Sequence, residues 1–429
     1  MTAPLADYSY FAGKKLAIIE HMLHEPYYLG IRQAQAHGLE LWLLVGDRNW
    51  YTHGQPWDEH PLSVVDRVID VDTADADAIV AVLVDADGTP LVDGVASFSD
   101  YHTVVAATVA RRLGMPGPDP AAVEAANQKH VLRELVGDQP YNIKHVLVSD
   151  ASELPAAVRA LGFPMIAKPP AEAISYGVRR VDNEAELAEA FASLHQITAS
   201  LRGQPRTGDV LLEQYVFGPE VSVETMTVAG RTVVYGVTSK DLFHEPAYIE
   251  CGHTFPVPLP DDERAALYAA VRGTLAAIGY EHGPCHTEVR LTADGPRVIE
   301  ANPRTPSSCM TMLVTDVTGR SPILDTWLLA LGMQPELEPV VTQGGAAVRM
   351  IYPPDPGELI EVLGIEKARQ VPGVSVYIHV HPGEQLWARE DNSSCVGFCY
   401  SAGPDLEAAR AAADQAAAEL RFPVKEPIR

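Results

Sequence analysis

The chain has 429 residues, of which 47% are hydrophobic and 21% are charged, so it has the length of two or three domains and the composition of a globular protein. Its formal net charge of −25 argues against non-specific nucleic-acid binding, which needs a basic surface. No apolar run reaches the roughly 18 residues that span a bilayer, and the N-terminus lacks the order of a signal peptide. We therefore expect a cytoplasmic protein without a membrane partner.

The cysteines indicate a reducing compartment. None of them forms a Cys-x-x-Cys pair, the spacing typical of metal-binding or redox sites. We expect free, mostly buried thiols rather than metal ligands at Cys251, Cys285, Cys309, Cys395 and Cys399.

The N-terminal part of the chain alternates between strand and helix patterns. Residues 14–20 and 39–47 are apolar runs typical of buried strands, and residues 27–38 between them have a helical pattern. This spacing predicts a parallel βαβ unit. Two further strand patterns and two further helical patterns follow, at residues 65–72, 92–98, 75–86 and 100–114. Together they predict a small doubly wound α/β domain over residues 1–115. It lacks Gly-x-Gly-x-x-Gly, so we predict no dinucleotide site there.

A turn-rich joint at residues 114–120 separates this domain from the middle of the chain, where two hairpins stand out. The first pairs two β-rich runs across Ala229 and Gly230, and the second pairs two more across a turn near Asp294. Several short strand candidates follow residue 344, and the chain closes with an Ala-rich helical pattern at 405–422. Strands and helices thus alternate less regularly after the joint.

The second hairpin places acidic side chains against each other. If its turn is centred on Asp294, Glu288 faces Glu300, and directly opposed like charges destabilise a sheet. At an effective dielectric near 20 the repulsion is on the order of 3 to 4 kcal/mol, which a divalent cation between the carboxylates would convert into binding energy. With Asn302 on the same strand face, the ligands are all oxygen atoms, a set that suits Mg²⁺ or Mn²⁺ better than zinc. The alternative is an exposed hairpin with solvated glutamates.

Cations that could bind phosphate accompany these acids. Arg304 lies just beyond the metal residues and can hold a phosphate or a carboxylate bidentately. Lys168 ends an apolar strand, which predicts a buried stem and an ammonium at the strand end. The backbone N–H groups and the hydroxyl of the following loop, Ser175-Tyr176-Gly177, could cover phosphates, although a plain surface loop is the alternative. Lys129, taken alone, would be a solvated helix lysine.

The run at residues 210–224 has the pattern of a break between two sheets. Its first strand ends near Glu213, the chain passes through Gln214, Tyr215 and Val216, and a Gly-Pro pair precedes the next strand. A flat base could enter such a break and bind exposed backbone. Glu213 could accept a hydrogen bond from an exocyclic amine, and Glu220 from ribose hydroxyls. The alternative is an ordinary connection with solvated glutamates.

The order of these motifs resembles that of the ATP-grasp superfamily of carboxylate–amine ligases. Six features match in order: Lys129, the Met-Ile-Ala-Lys-Pro-Pro run, the Ser-Tyr-Gly loop, residues 210–224, the strand with Glu288 and the strand with Glu300. The resemblance covers about residues 1–335 and implies an ATP-grasp fold, with α/β and α+β parts. The implied parts are an N-terminal doubly wound α/β domain, two lobes that clamp ATP and a C-terminal α+β extension, at residues 1–115, 116–215, 216–335 and 336–429.

The resemblance also implies which residues bind ATP and metal. ATP contacts would come from Lys129, Lys168, Ser175, Tyr176, Gly177, Glu213, Gln214, Val216 and Glu220. Two Mg²⁺ ions would be bound by Glu288, Glu300 and Asn302, and Mn²⁺ could take their place. Arg304 would be the catalytic residue that stabilises the acyl phosphate and the tetrahedral intermediate, and it could also hold the substrate carboxylate.

Within the superfamily, residues 248–260 and 344–352 most resemble bacterial L-amino acid ligases, which make dipeptides. In that group the acid and histidine that match Glu250 and His253 lie in the amino-acid pocket. This implies that Glu250 binds a substrate ammonium and that His253 lines the site, although His253 could instead be a turn residue bonded to local backbone. Some members have a bulky residue where this chain has Ser308, which implies a wider pocket.

The expected reaction is an ATP-dependent ligation. The carboxylate of one amino acid would attack the γ-phosphate of ATP, giving an acyl phosphate and ADP, and the amine of another would then form a dipeptide or related amide. Small-molecule amino acids are the expected partners, and a homodimer is one oligomeric state that the sequence allows.

Three alternatives stay open. The first is another ATP-grasp reaction, such as a biotin-carboxylase-like carboxylation or a purine-pathway ligation. The second is a regulatory protein that binds a nucleotide without catalysis. The third takes His379 and His381, which share a strand face, as a metal site, although two histidines without a third ligand are typical of structural roles.

Overall fold

The structure is a computed structural model, which describes residues 8–21, 25–52, 56–243, 249–306, 309–335, 340–389 and 392–425. The strands are β1 (Lys15–Ile19), β2 (Glu40–Val45), β3 (Arg67–Asp70), β4 (Gly94–Ala96), β5 (His145–Val148), β6 (Met165–Lys168), β7 (Arg179–Val181), β8 (Val210–Gln214), β9 (Glu220–Val228), β10 (Arg231–Leu242), β11 (Glu250–Phe255), β12 (Gly283–Thr292), β13 (Gly295–Asn302), β14 (Gly345–Ile351), β15 (Gly357–Glu358), β16 (Val374–Ile378), β17 (Gln385–Leu386) and β18 (Gly397–Gly403). The helices are α1 (Glu25–Ala36), α2 (Asn49–Thr52), α3 (Ala76–Leu83), α4 (Thr103–Arg112), α5 (Pro120–Asn127), α6 (Lys129–Val136), α7 (Leu154–Leu161), α8 (Glu184–Leu194), α9 (Asp261–Ala277), α10 (Met310–Thr318), α11 (Pro322–Ala330), α12 (Ile365–Arg369) and α13 (Leu406–Glu419).

The N-terminal strands form a parallel sheet in the order β3-β2-β1-β4, which contains every strand predicted for this part of the chain. Side chains alternate along each strand, so the two faces bury different residues. Leu16 and Ile18 pack on one face with residues of α1 and α11. Ala17 and Ile19 pack on the other face with residues of α3 and α4. Helices therefore cover both faces, and the prediction of a doubly wound domain is confirmed.

The second sheet is antiparallel, with the strand order β5-β8-β6-β7. Leu212 of β8 packs with residues of α7 and α8, so its neighbour Glu213 points to the opposite face. Lys168 pairs with Leu211, which lies on the same face of β8 as Glu213. One face of this sheet is thus an ordinary apolar core, and the other presents a buried acid and a buried lysine.

The largest sheet has eight strands in the order β13-β12-β9-β10-β11-β14-β18-β16. Strand β14 pairs with β11 from Gly252 opposite Arg349 to Phe255 opposite Ala346. The strands of the C-terminal part therefore extend the sheet that carries the predicted metal hairpin, with α13 packed on β14 and β18. Only the short pair of β15 and β17 forms a separate sheet among the described residues of this part. The domain limits given above remain predictions.

The first predicted hairpin is confirmed, and the second has a different turn. Ala229 and Gly230 have φ of +48° and +77° between the paired residues Val228 and Arg231, as two-residue hairpin turns require. In the second hairpin Thr292 pairs with Gly295, so the turn is Ala293-Asp294 and not centred on Asp294. A register shift beyond Glu288 then restores the pairing of Glu288 with Glu300.

All five cysteines are free, as predicted. Cys285, Cys309 and Cys399 are buried, while Cys251 and Cys395 are partly exposed. Among the described residues, none of the helices combines the length and apolar character that a membrane crossing requires.

Substitution of Trp327, in α11, tests how far the stability of the N-terminal sheet depends on a helix from later in the chain. Its side chain is fully buried, and its ring centre lies 5.8 Å from that of Phe98. We expect Trp327→Ala to lower the free energy of unfolding by about 3 to 5 kcal/mol in a urea titration. The control Trp387→Ala removes a side chain that is 69% exposed and should change it by less than about 0.5 kcal/mol. Equal effects of the two substitutions would contradict this packing.

Candidate active site

Lys168 and Glu213 belong to a buried ion cluster on the second sheet. Glu213 lies between two cations, with Lys168 Nζ 2.7 Å from its Oε2 and Arg133 Nε donating to its Oε1 at 2.7 Å. Burial would raise the pKa of Glu213, but the charges of Arg133 and Lys168 outweigh it and lower that pKa to about 2. Burial lowers the pKa of Lys168 and outweighs the opposite effect of Glu213. Glu213 is thus a charged acceptor, and its remaining lone pairs could still accept from a base amine.

Lys129 is buried, which contradicts the solvated lysine that its helical context alone suggests. It begins α6, and its ammonium donates to the backbone oxygen of Glu172 at 2.8 Å and lies 3.0 Å from Glu300 Oε2. Burial would lower the pKa of Lys129, but Glu300 outweighs this and raises it. One lysine therefore links the segment after Lys168 to the predicted metal strand β13.

The loop Ser175-Tyr176-Gly177 has an unusual backbone. Ile174 and Ser175 have φ of +55° and +61°, which side chains with a Cβ rarely adopt and which cost of order 1 to 3 kcal/mol each. Gly177 also has a positive φ, and an added Cβ would lie 2.9 Å from the side chain of Leu194. Ser175 itself is exposed. The loop shape is consistent with the predicted phosphate cover, which remains a prediction.

The segment from Gln214 to Val216 connects the second sheet to the large one. Gln214 is exposed, and its backbone N–H donates to the backbone oxygen of Lys144 at 2.9 Å. The backbone carbonyl of Val216 accepts from Arg290 Nη1 at 3.1 Å. The amide N–H of Val216 has no hydrogen-bond partner within the described part of the chain. It is therefore a donor available to a ring nitrogen of a base, which supports the predicted backbone contact at Val216.

Glu220 is held by two cations on neighbouring strands. It lies opposite both Lys240 and Arg290 in the sheet, with Lys240 Nζ 3.5 Å from its Oε1 and Arg290 Nε 3.2 Å from its Oε2. Burial raises the pKa of Glu220, because the two cations only partly offset it. The predicted ribose contact would therefore use a carboxylate that is already paired.

The predicted metal residues lie side by side. Glu288 and Glu300 are directly paired across the hairpin, and Asn302 Nδ2 donates to Glu300 Oε1 at 3.0 Å, which leaves the Asn302 carbonyl oxygen for a ligand. The repulsion inferred between the two glutamates is offset, because Lys129 contacts Glu300 while Lys240 and His286 contact Glu288. Burial would raise the pKa values of both glutamates, but those cations lower them.

These donors fit a hard divalent cation. Two carboxylates and one amide, all through oxygen, are the ligands that Mg²⁺ takes from a protein when substrate phosphates complete its shell. Among the residues that the structure describes, no three His, Cys, Asp or Glu side chains are grouped so that they could hold a metal ion. The predicted set has two carboxylates and one amide, so a cation there would need further ligands from substrate phosphates. The alternative metal site has no support, because His379 Nε2 hydrogen bonds to Cys395 O at 2.8 Å and lacks a third ligand among described residues.

The sequence analysis missed His286 and Glu224, two buried residues next to the predicted metal residues, in β12 and β9. Their strands pair them directly, and His286 Nδ1 lies 2.9 Å from Glu224 Oε2 while Nε2 lies 3.3 Å from Glu288 Oε1. Burial would lower the pKa of His286, but Glu224 outweighs it and raises that pKa to about 9. His286 and Glu288 are two positions apart in β12, so their side chains share one face of the sheet. This spacing was a sequence signal that His286 lies beside the predicted metal residue.

Lys240 was also missed. It lies in β10 opposite Glu220 and is 7% exposed, with carboxylate oxygens of Glu220, Glu250 and Glu288 around its ammonium. Burial would lower the pKa of Lys240, but Glu250 and the other two acids hold it well above its usual value. The sequence carries no local signal for it, because its burial depends on carboxylates from three other strands.

The predicted substrate residues Glu250 and His253 both lie in β11, and their side chains are in contact. Glu250 Oε1 lies 3.0 Å from Lys240 Nζ, and Glu250 Oε2 lies 3.2 Å from His253 Nε2. Burial would raise the pKa of Glu250, but Lys240 and His253 lower it below its usual range. His253 is fully buried within a strand, so the alternative of a turn residue is wrong. Ser308 lies outside the described residues.

Arg304 follows β13 and contacts the N-terminal domain. Its Nε donates to Asp100, and its Nη1 donates to the backbone oxygen of Thr305 at 3.0 Å. The side chain is almost fully buried. Arg304 therefore bridges the strand with the metal residues and the segment after β4, where a substrate carboxylate would have to share the guanidinium with Asp100.

Comparisons with known proteins define the family. Three family models match successive parts of the chain: the ATP-grasp N-terminal domain at residues 31–117, the ATP-grasp domain at 161–312 and L-amino acid ligase C-terminal domain 2 at 349–425. The chain thus contains an ATP-grasp domain and an ATP-grasp N-terminal domain, and ATP-grasp ligases use ATP and a divalent metal. It also has the C-terminal domain of the L-amino acid ligases.

Individual relatives agree with this family. An uncharacterised protein of Sinorhizobium fredii is 29% identical over 348 residues, which are 80% of this chain and 70% of the relative. Carnosine synthase 1 of Gallus gallus is 31% identical over 258 residues, 57% of this chain but only 28% of the synthase. The crystal structure of an L-amino acid ligase from Bacillus licheniformis superposes with a TM-score of 0.81 at 23% identity, covering 97% of this chain and 100% of that one. The last comparison confirms the predicted ATP-grasp fold.

The role of Lys168 can be tested by nucleotide binding. We expect Lys168→Ala to weaken ATP affinity about 10- to 100-fold, because a buried phosphate would lose a charge-assisted hydrogen bond. Isothermal titration with ATP measures this. Lys144→Ala removes an exposed lysine close to the same sheet and should leave the affinity unchanged. If both variants bind ATP like the native protein, Lys168 is not a nucleotide ligand.

Proposed function

We propose that the protein joins the carboxylate of one amino acid to the amine of another, forming a dipeptide or related amide with ADP and phosphate. The observation that carries this proposal is the contact between Lys129 and Glu300, 3.0 Å long. It joins the lysine predicted to bind phosphate, in one predicted lobe, to the acid predicted to bind metal, in the other. The family match and the likeness to amino-acid ligases support the choice of substrates. The free thiols fit a reaction in the cytoplasm.

ATP would bind between the second sheet and the large sheet. Lys129 and Lys168 would contact its phosphates, under the loop Ser175-Tyr176-Gly177. The free amide of Val216 would donate to the adenine ring, beside Glu213 and Gln214, and Glu220 would accept from the ribose. A divalent cation, Mg²⁺ in the cell, would neutralise charge on the transferring phosphoryl group.

The first chemical step would activate a carboxylate. An oxygen of the substrate carboxylate attacks the γ-phosphorus, the bond to the β-phosphate oxygen breaks, and ADP leaves. Glu288, Glu300 and Asn302 would hold the two Mg²⁺ ions for this step. Lys129 links the two predicted lobes. Closure of the lobes over the site would exclude water, which would otherwise hydrolyse the acyl phosphate.

The second step would form the amide. A neutral amine attacks the acyl carbon, the carbon–oxygen bond to phosphate breaks, and the amine loses one proton as phosphate leaves. Arg304 would stabilise the negative charge that develops on the acyl oxygen, as a preorganised donor. Glu250 would hold a substrate ammonium, and His253 would fix the orientation of the Glu250 carboxylate.

Substrate identity is best tested with a matrix of amino-acid pairs. ATP-dependent phosphate release is scored for each pair, and products are weighed by mass spectrometry. We expect at least one pair to give equal amounts of phosphate, ADP and a product lighter than the pair by one water. Phosphate release with bicarbonate or an aminoribonucleotide instead would contradict the proposal. Binding of ATP with no turnover for any acid and amine would do so as well.

The metal assignment predicts that Glu300→Gln loses ligation while the fold remains intact. The amide oxygen of the glutamine can still accept from Lys129, but its NH2 group cannot accept from Asn302 as Glu300 Oε1 does, and the side chain lacks the charge that holds a divalent cation. Turnover across a Mg²⁺ titration, together with the melting temperature, measures the effect. Glu281→Gln, an exposed substitution just before β12, is the control. Near-normal turnover of Glu300→Gln at ordinary Mg²⁺ would remove Glu300 from the metal site.

The acyl-transfer role predicts that Arg304→Ala keeps ATP affinity but forms product about 10²- to 10³-fold more slowly, the range for removing one preorganised donor. Arg304→Lys should rescue only in part, because an ammonium lacks the bidentate fork. The control is Arg297→Ala on β13, the strand that precedes Arg304, where the side chain donates to the backbone oxygens of Asp294 and Pro296. If ATP affinity falls in proportion to product formation, Arg304 is a nucleotide ligand instead.

A further inference from the structure

Lys240 reaches across several strands. It lies directly opposite Glu220 in the sheet, yet Glu220 is the most distant of its three carboxylates, at 3.5 Å. Glu250 on the next strand lies 3.0 Å from the ammonium, and Glu288, two strands away on the other side, is in the closest contact. The ammonium is thus drawn from its direct neighbour toward the predicted metal ligand.

The contact to Glu288 bears on metal binding. Lys240 and His286 both contact the same oxygen, Glu288 Oε1. A divalent cation bound by Glu288 would add two positive charges to a carboxylate that already neutralises Lys240. In a buried site such like charges repel strongly, because little water screens them. The lysine and the cation therefore compete for the charge of Glu288.

Glu250 gives Lys240 a second place to bind. Its Oε1 is already in contact with the ammonium, and its strand β11 lies on the far side of β10 from Glu288. When Glu288 binds a cation, the Lys240 ammonium would shift toward Glu250 and Glu220. When a substrate ammonium neutralises Glu250, the Lys240 ammonium would shift toward Glu288. One side chain thus connects the metal residues with the substrate residue.

We propose that Lys240 is a positioning residue that couples the two sites, so that a divalent cation at Glu288 and an ammonium at Glu250 each weaken the binding of the other. Such coupling is reciprocal by thermodynamic necessity. It rests on the metal and ammonium roles given under the proposed function. Its consequence is that an amino group is held less tightly once the metal is bound.

Two single variants test the coupling in opposite directions. The readout is Mn²⁺ affinity at saturating ADP, measured by electron paramagnetic resonance of free Mn²⁺ and independent of turnover. Lys240→Met removes the competing charge and should raise Mn²⁺ affinity about fivefold or more. Glu250→Gln releases the lysine toward Glu288 and should lower Mn²⁺ affinity by a similar factor, about fivefold. Lys240→Arg keeps the charge and is the matched control, with affinity close to that of the native protein.

The double variant Lys240→Met with Glu250→Gln completes the cycle. Without the lysine, loss of the Glu250 charge should no longer change Mn²⁺ affinity, because the carrier of the coupling is gone. Glu250→Gln retains Lys240 and gives a result even if Lys240→Met does not fold. Unchanged or tighter Mn²⁺ binding in Glu250→Gln would overturn the proposal, and so would unchanged or weaker binding in folded Lys240→Met.

Glu300→Gln separates failure of this inference from failure of the proposed function. If Glu300→Gln binds Mn²⁺ as tightly as the native protein, the metal site itself is misplaced. If Glu300→Gln loses Mn²⁺ but the Lys240 and Glu250 variants do not change it, the metal site stands and only the coupling through Lys240 is wrong.

Discussion

A row of buried and half-buried charge along one face of the large sheet is the constraint on which the site depends. From β13 to β11 the row contains Glu300, Glu288, Glu220, Lys240 and Glu250. Carboxylates can be buried only when cations or hydrogen-bond donors contact them. Lys240 does this from within the sheet, while Lys129 comes from α6 to contact Glu300. The acids that could hold a metal thereby also hold the parts of the molecule together.

The N-terminal sheet could be predicted from local patterns, because strand and helix periodicity needs no knowledge of distant residues. Every strand of the N-terminal sheet and the turn at Ala229-Gly230 followed from such patterns. The sheet to which the C-terminal strands belong could not be predicted. Alternating apolar residues identify a strand, but its neighbour depends on long-range packing, and here β14 adds to β11. That pairing lets Tyr352 donate to the backbone oxygen of Glu250 at 2.8 Å, so the C-terminal part helps to place a predicted substrate residue.

The sequence allowed the acidic residues of the candidate site to be predicted, but not the cations that contact them. The facing of Glu288 and Glu300 was inferred from a turn centre that is half a residue wrong, and a register shift in the hairpin compensates for that error. The cations that neutralise them come from other elements. Lys129 is 171 positions from Glu300 in the chain, so no local pattern distinguishes it from a surface lysine. Burial alone reveals it, and the same holds for Lys240.

In the proposed reaction, a carboxylate is activated by phosphoryl transfer from ATP between these sheets. Oxygen transfer tests it most directly. An amino-acid pair that the enzyme ligates is supplied with ¹⁸O in the carboxylate of the acid partner, and the released phosphate is analysed by mass spectrometry. Formation and breakdown of an acyl phosphate move one labelled oxygen from the carboxylate to phosphate for each amide bond formed. Phosphate without the label, beside a correctly formed amide, would contradict the account.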